Sequence, residues 1–197
     1  MPETLIEAES VSRRYQQGGM SIAAIASATF HLCAGDRVAL VGRSGSGKST
    51  LLHLMAGLDV PTSGTVRWPA LGAAGTLLPA KISLVFQAPN LLEPLTVSEN
   101  VALPLLMANA ACDIARAVAD SLATFGLENL ALKLPEELSG GQMQRVAMAR
   151  AIAGNPSVIL ADEPTGQLDQ PTGSALLDAL VSRLAGTQTA LVIATHD

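Results

Sequence analysis

The stretch from Asp36 to Ser49, DRVALVGRSGSGKS, leaves the chain few folds to choose from. DRVALVG is a short continuous apolar run, the pattern of a strand buried on both faces. Glycines follow, and KSTLLHLMAG then repeats apolar residues at helical spacing until Gly57 ends it. Strand, glycine-rich loop and helix in that order make a phosphate-binding loop. Its glycines let the backbone N–H groups of Gly42, Ser44, Gly45, Ser46, Gly47 and Thr50 surround phosphates, while Lys48 reaches the terminal ones and Ser49 offers a hydroxyl to Mg²⁺. A mere glycine-rich turn would not need the buried strand before it and the helix behind.

The rest of the chain fits an α/β fold around that unit. Residues 4–8 and 20–32 are rich in β formers on either side of the turn-like QQGG, and predict antiparallel strands. From Pro61 to Ala80 only turns and weak strands are predicted, before the apolar run ISLVF. Residues 90–155 read as helical. Thr96 with Glu99 suits a capping box, Ile114, Val118 and Leu122 repeat every four, Gly126 suits a stop, and a further helix runs from Ser139 to about Ala153. VILAD and ALVIAT are two more apolar runs of strand length, separated by a helical stretch around 174–184. Alternating strands and helices imply a mostly parallel core sheet, which GRSGSGKS makes one of the P-loop NTPase kind, with an N-terminal antiparallel β subdomain and an inserted helical subdomain over 90–155. With 49% apolar residues in 197, the whole of 1–197 is expected to form one domain.

Chemistry-bearing residues fall where these strands run out, the edge at which open α/β sheets bind ligands. Asp162 and Glu163 follow VILA. Asp162 is placed to hold a Mg²⁺ shell, and Glu163 to orient or deprotonate an attacking water. His196 follows ALVIAT and emerges at the same edge, within reach of a terminal phosphate. His31 and His53 lie in a strand and a helix without such a context. Gln87 ends LVF, where its amide oxygen can complete a metal or water shell. Tyr15, the chain's one tyrosine, either stacks on a nucleobase or packs on its strand.

Composition closes several alternatives. A formal charge of -5 lacks the cationic excess that phosphate-backbone binding needs, so a nucleic-acid partner is not expected. Cys33 and Cys112 stand in no metal-ligand or redox spacing and read as buried or semi-buried thiols in a reducing compartment. MPETLIEAES has none of the features of a signal peptide, and the apolar run near Val101 to Cys112 is interrupted by Pro104 and too short to span a bilayer.

LSGGQMQR, from Leu138 to Arg145, is harder to explain. Ser139 and Gln142 make a capping box, yet Gly140 and Gly141 occupy the first turn, where each costs up to about 1 kcal/mol against alanine. A helix start cleared of side chains presents its N–H groups and dipole to an anion.

With GRSGSGKS, LSGGQ, ILADEP, a Gln after an apolar strand and a terminal His in that order, nearly the whole sequence resembles the nucleotide-binding subunit of an ATP-binding cassette transporter. The resemblance implies ATP and Mg²⁺ as cofactors and a head-to-tail dimer with a second such subunit, each ATP lying between one phosphate loop and the partner's signature motif. It assigns Tyr15 to adenine stacking, Gln87 to Mg²⁺ and signalling, Glu163 to the catalytic base, Asp169 in GQLD to the loop that crosses the dimer, and His196 to the γ-phosphate. Ser139, Gly140, Gly141 and Gln142 then serve the neighbour's ATP. LLHLMAGLDVPTSG and NLLEPLTVSENVALPLL look like the branch serving lipoprotein release and macrolide or antimicrobial-peptide export. That branch implies an integral membrane permease as partner and a peripheral position on the cytoplasmic face of the inner membrane.

The chain departs from the family pattern in two places. The stretch from Gly64 to Gln87 is short, and relatives continue past His196, which predicts a trimmed antiparallel subdomain and a C-terminally short domain. Two other functions remain open at this point: a cassette ATPase without a permease, and a regulatory nucleotide binder.

Overall fold

The computed structural model describes residues 2–196, so Met1 and Asp197 lie outside it. Three strands, β1 (Thr4–Gln17), β2 (Met20–Cys33) and β4 (Ser63–Arg67), pair antiparallel in the order β2-β1-β4. Four others, β3 (Arg37–Val41), β5 (Ile82–Val85), β6 (Val158–Asp162) and β7 (Ala190–Thr195), form a wholly parallel sheet in the order β3-β7-β6-β5. The helices are α1 (Lys48–Met55), α2 (Val97–Met107), α3 (Ile114–Thr124), α4 (Gly140–Ile152) and α5 (Gln170–Leu184). Of these, α2, α3 and α4 lie between β5 and β6 in the chain.

Three layers result, with the parallel sheet in the middle. Along β6 the side chains alternate between two cores: Ile159 and Ala161 pack with α2 to α5, while Val158 and Leu160 pack with α1 and the antiparallel sheet. Burial on both faces is why VILAD reads as an unbroken apolar run. The apolar period of α3 resolves likewise, with Val118 and Leu122 buried in the helical core and Ile114 half-buried against it. Asn100, fully buried on α2, donates to the carbonyls of Leu92, Leu95 and Thr96 and accepts from the Leu92 N–H at 2.8 Å. It thereby fixes the segment leading out of β5.

Three details differ from the sequence reading. β1 runs on to Gln17 instead of ending near Ala8, because an irregularity at Ser10, whose φ is +49°, shifts its register and breaks the alternation. The segment read as turns and weak strands holds a regular strand, β4, paired to β1 through Glu7 and Arg67. Cys112 is exposed, since it lies in the connection before Asp113 caps α3; Cys33 is half-buried, and both are free thiols.

Candidate functional site

The phosphate-loop glycines are demanded by the backbone and by their neighbours. Gly45 and Gly47 have φ of +76° and +92°, in the left-handed region, and a Cβ on Gly42 would lie 2.8 Å from the Ser46 Oγ. Gly47 is the tightest position: a Cβ there would lie 2.2 Å from the carbonyl oxygen of Ala24 on β2. Gly47 is also the N-cap of α1, and no side chain caps that helix. The cap residue therefore offers no side-chain acceptor to the first N–H groups of α1, and its first turn contains no acidic residue.

A cleft of about 240 Å³ opens over this loop. It gathers Ser44 to Thr50 with Gln87 from the end of β5 and Asp162 and Glu163 from the end of β6, three segments far apart in sequence. The Lys48 Nζ donates to the Gly42 carbonyl at 2.7 Å and lies 3.6 Å from the Glu163 Oε1. Gln87 Nε2 donates to the other oxygen, Glu163 Oε2, at 3.1 Å. His196 Nδ1 is 3.4 Å from Oε1, on a half-exposed side chain. Glu163 is thus the meeting point of the lysine, the glutamine and the histidine that the sequence singled out separately. Its backbone is unusual as well, with φ +43° and its N–H bonded to the Ala194 carbonyl of β7. A non-glycine residue in that conformation stores strain of the kind concentrated at functional sites.

Other predicted residues lie outside the cleft. Ser139 caps α4 through the Gln142 N–H, and Gln142 Oε1 accepts from the Ser139 N–H at 2.9 Å, so the capping box forms as read. The two glycines it encloses differ. A Cβ on Gly141 would lie 3.2 Å from Leu168 Cδ2, whereas a Cβ on exposed Gly140 would meet nothing within 4 Å among the described residues beyond its own turn of helix. Packing within the chain accounts for the second glycine only. Asp169 is the N-cap of α5, accepting from the Thr172 N–H and hydroxyl, and those bonds hold its carboxyl below the usual range. Tyr15 stands on β1, half-exposed, with its hydroxyl donating to Asp59 at 2.8 Å.

Two features had no sequence signal. Ala24 lines the cleft beside the phosphate loop although it sits on the antiparallel sheet, and a small apolar residue announces no chemistry. Arg13 and Asp59 surround Tyr15, brought there by sheet packing and by the loop beyond α1. No helix among the described residues is long and apolar enough to cross a membrane.

Residues 25–166 match the family model described as ABC transporter. The chain is 36% identical to the ATP-binding cassette MJ0796, solved as a dimer in a post-hydrolysis state bound to ADP and Pi, with a TM-score of 0.88 over 98% of this chain and 88% of that one. It is 29% identical to CbiO1 from Clostridium perfringens, described as part of the ABC transporter complex CbiONQ, with a TM-score of 0.82 over 99% of this chain and 79% of that one.

Proposed function

Because the chain belongs to the ABC transporter family and is built as its ATPase cassette, we propose that it is the motor subunit of a transporter, closing with a second copy around two ATP molecules to drive a membrane-embedded permease. The observation that carries this reading is the convergence of Lys48, Gln87 and His196 on Glu163 in the cleft beside the phosphate loop. In the same cleft Ser49, Gln87 and Asp162 offer hydroxyl, amide and carboxylate oxygens, the hard donors that Mg²⁺ takes alongside substrate phosphates. When bound there, Mg²⁺ supplies charge neutralisation on the phosphate oxygens.

The chain's own residues then divide the work. The loop N–H groups and the open end of α1 bind the α- and β-phosphates, and Lys48 leaves the Gly42 carbonyl to reach the terminal phosphate. Glu163 aligns the attacking water and accepts its proton, while His196 holds the γ-phosphate against it. Gln87 and Asp162 steady the metal side, and Tyr15 stacks on adenine. Ser139, Gly140, Gly141 and Gln142 lie outside the cleft, so in this reading they bind the ATP of the partner copy, and Asp169 belongs to the loop that crosses the dimer. Residues 90–155 form the helical subdomain that swings this signature helix toward the neighbour. Catalysis is mostly positioning and electrostatic stabilisation.

We assign the transporter to the export or lipoprotein-release type on the resemblance of LLHLMAGLDVPTSG and NLLEPLTVSENVALPLL, which places the subunit peripherally on the cytoplasmic face of the membrane. Glu163→Gln, which keeps the bond to Gln87 but loses the base, is expected to bind ATP, stop turnover and accumulate as a dimer on size-exclusion chromatography with ATP. A variant that stays monomeric with ATP bound contradicts the shared-site reading.

A further inference from the structure

Tyr15 is held on two sides. Its Oη donates to Asp59 Oδ2 at 2.8 Å, Arg13 Nε donates to the same oxygen at 2.8 Å, and Arg13 Nη2 lies 2.7 Å from Oδ1. The Arg13 guanidinium also covers one ring face, its carbon 4.5 Å from the centroid. Oδ1 is fixed in turn by the Val60 N–H at 2.8 Å. Burial opposes ionisation of Asp59, yet the bonds from Tyr15, Val60 and Arg13 outweigh it and hold the carboxyl below its usual range.

The placement of Asp59 matters as much as its bonds. It lies in the turn beyond α1, the helix that opens with Lys48 and Ser49, while Arg13 and Tyr15 project from one side of β1. The brace therefore ties the antiparallel sheet to the far end of the phosphate-loop helix. At the near end the same two bodies meet where Gly47 abuts the Ala24 carbonyl. A bonded brace at one end of α1 and a close backbone approach at the other thus set the ring relative to the phosphate loop.

We propose that Arg13 and Asp59 are positioning residues for the nucleotide, locking the Tyr15 ring as a preorganised platform whose face opposite Arg13 receives the adenine. The inference rests on Tyr15 being the base-stacking residue. A half-exposed tyrosine free to change rotamer must be ordered on binding; one already bonded at its hydroxyl and stacked by a guanidinium is not. Only the base feels that difference. Releasing the brace is therefore expected to weaken ATP and ADP by about 3- to 10-fold and to leave a base-free polyphosphate untouched.

Titration calorimetry with ATP and with magnesium tripolyphosphate tests this on the intact chain, using Asp59→Asn, Arg13→Gln, Tyr15→Ala and the double variant Asp59→Asn/Tyr15→Ala. The expected result is a loss of ATP affinity in each single variant, unchanged tripolyphosphate affinity, and no further loss when Asp59→Asn is added to Tyr15→Ala. If Asp59→Asn melts too low to titrate, Arg13→Gln carries the comparison. Equal losses for ATP and tripolyphosphate, or no loss for either, overturn the brace as a base-positioning device. If Tyr15→Ala leaves the ratio of the two affinities unchanged, the base-stacking reading itself fails and the inference with it. If Tyr15→Ala changes that ratio and the brace variants do not, the base-stacking reading stands and the brace alone is refuted.

Discussion

Gly140→Ala separates the demands of folding from those of a second molecule. Gly140 opens α4, is exposed, and beyond its own turn of helix has no described atom within 4 Å of where a Cβ would stand. Its backbone is helical, a conformation alanine adopts without strain, so the substitution chiefly removes freedom from the unfolded chain, worth about 0.4–1 kcal/mol. For a domain of this size that corresponds to a rise in Tm of roughly 1–4 °C. Nucleotide binding by the isolated chain is expected to be unchanged, since Gly140 does not line the phosphate cleft. ATP hydrolysis at concentrations that allow dimers is expected to fall on the order of 100-fold, the scale of misplacing reacting groups by about 1 Å, since alanine keeps the N–H but its Cβ holds the phosphate away from it. Scanning calorimetry and a phosphate-release assay read the two quantities. A variant that is more stable and as active as the parent would refute the reasoning, because the space outside Gly140 would then belong to no phosphate. Gly141→Ala is the control: its Cβ would press on the Leu168 terminus at 3.2 Å, so it is expected to gain less stability.

Gly47→Ala is expected to lose phosphate binding and several degrees of Tm, because φ +92° costs an L residue about 1–2 kcal/mol before the added Cβ meets the Ala24 carbonyl; Gly18→Ala, at φ +56° in open space, bears the strain alone and is expected to bind normally. Asn100→Ala is expected to cost about 1–3 kcal/mol in urea unfolding, since it leaves the Leu95 carbonyl and the Leu92 N–H without the side chain that pairs them, while the Leu92 and Thr96 carbonyls keep their backbone donors. The Thr96 N–H and hydroxyl hold Glu99 below its ordinary 4.5, and Thr172 holds Asp169 below 3.8. Carboxyls depressed in the folded state bind fewer protons there than in the unfolded chain, so their contribution is complete above the unfolded values and is lost as pH falls through the folded ones. Thermal stability is expected to decline below about pH 4, and Glu99→Gln to shallow that decline. Chelation of Mg²⁺ is expected to abolish hydrolysis without shifting the melting curve of the nucleotide-free chain.

What the sequence made legible was local. β6 and β7 are buried on both faces and so read as unbroken apolar runs, and the capping boxes at Thr96 and Ser139 need only residues three apart. β1 was legible only to Ala8 because the irregularity at Ser10 hides its continuation. β4 carries Gly64, whose Cβ would lie 2.5 Å from the Glu9 carbonyl oxygen, and a strand kept bare for such an approach looks like a turn. In the site, Lys48 was legible from the glycine-rich loop before α1, and Asp162, Glu163 and His196 because strand ends must converge at one edge of a parallel sheet. Their common contact at Glu163 was not, since it depends on a left-handed backbone at a residue that spacing says nothing about. Ala24, Arg13 and Asp59 owe their places to the packing of β1 and β2 against α1, which no short pattern encodes.

The head-to-tail site is tested most directly by mixing two inactive variants, Lys48→Ala and Ser139→Arg, and assaying hydrolysis against total protein. In a head-to-tail dimer each mixed pair contains one site carrying both defects and one carrying neither, so activity is expected to reappear, up to about a quarter of the parent's at equal mixing. If phosphate loop and signature motif act on the same ATP within a single copy, mixing restores nothing, and that result would contradict the account.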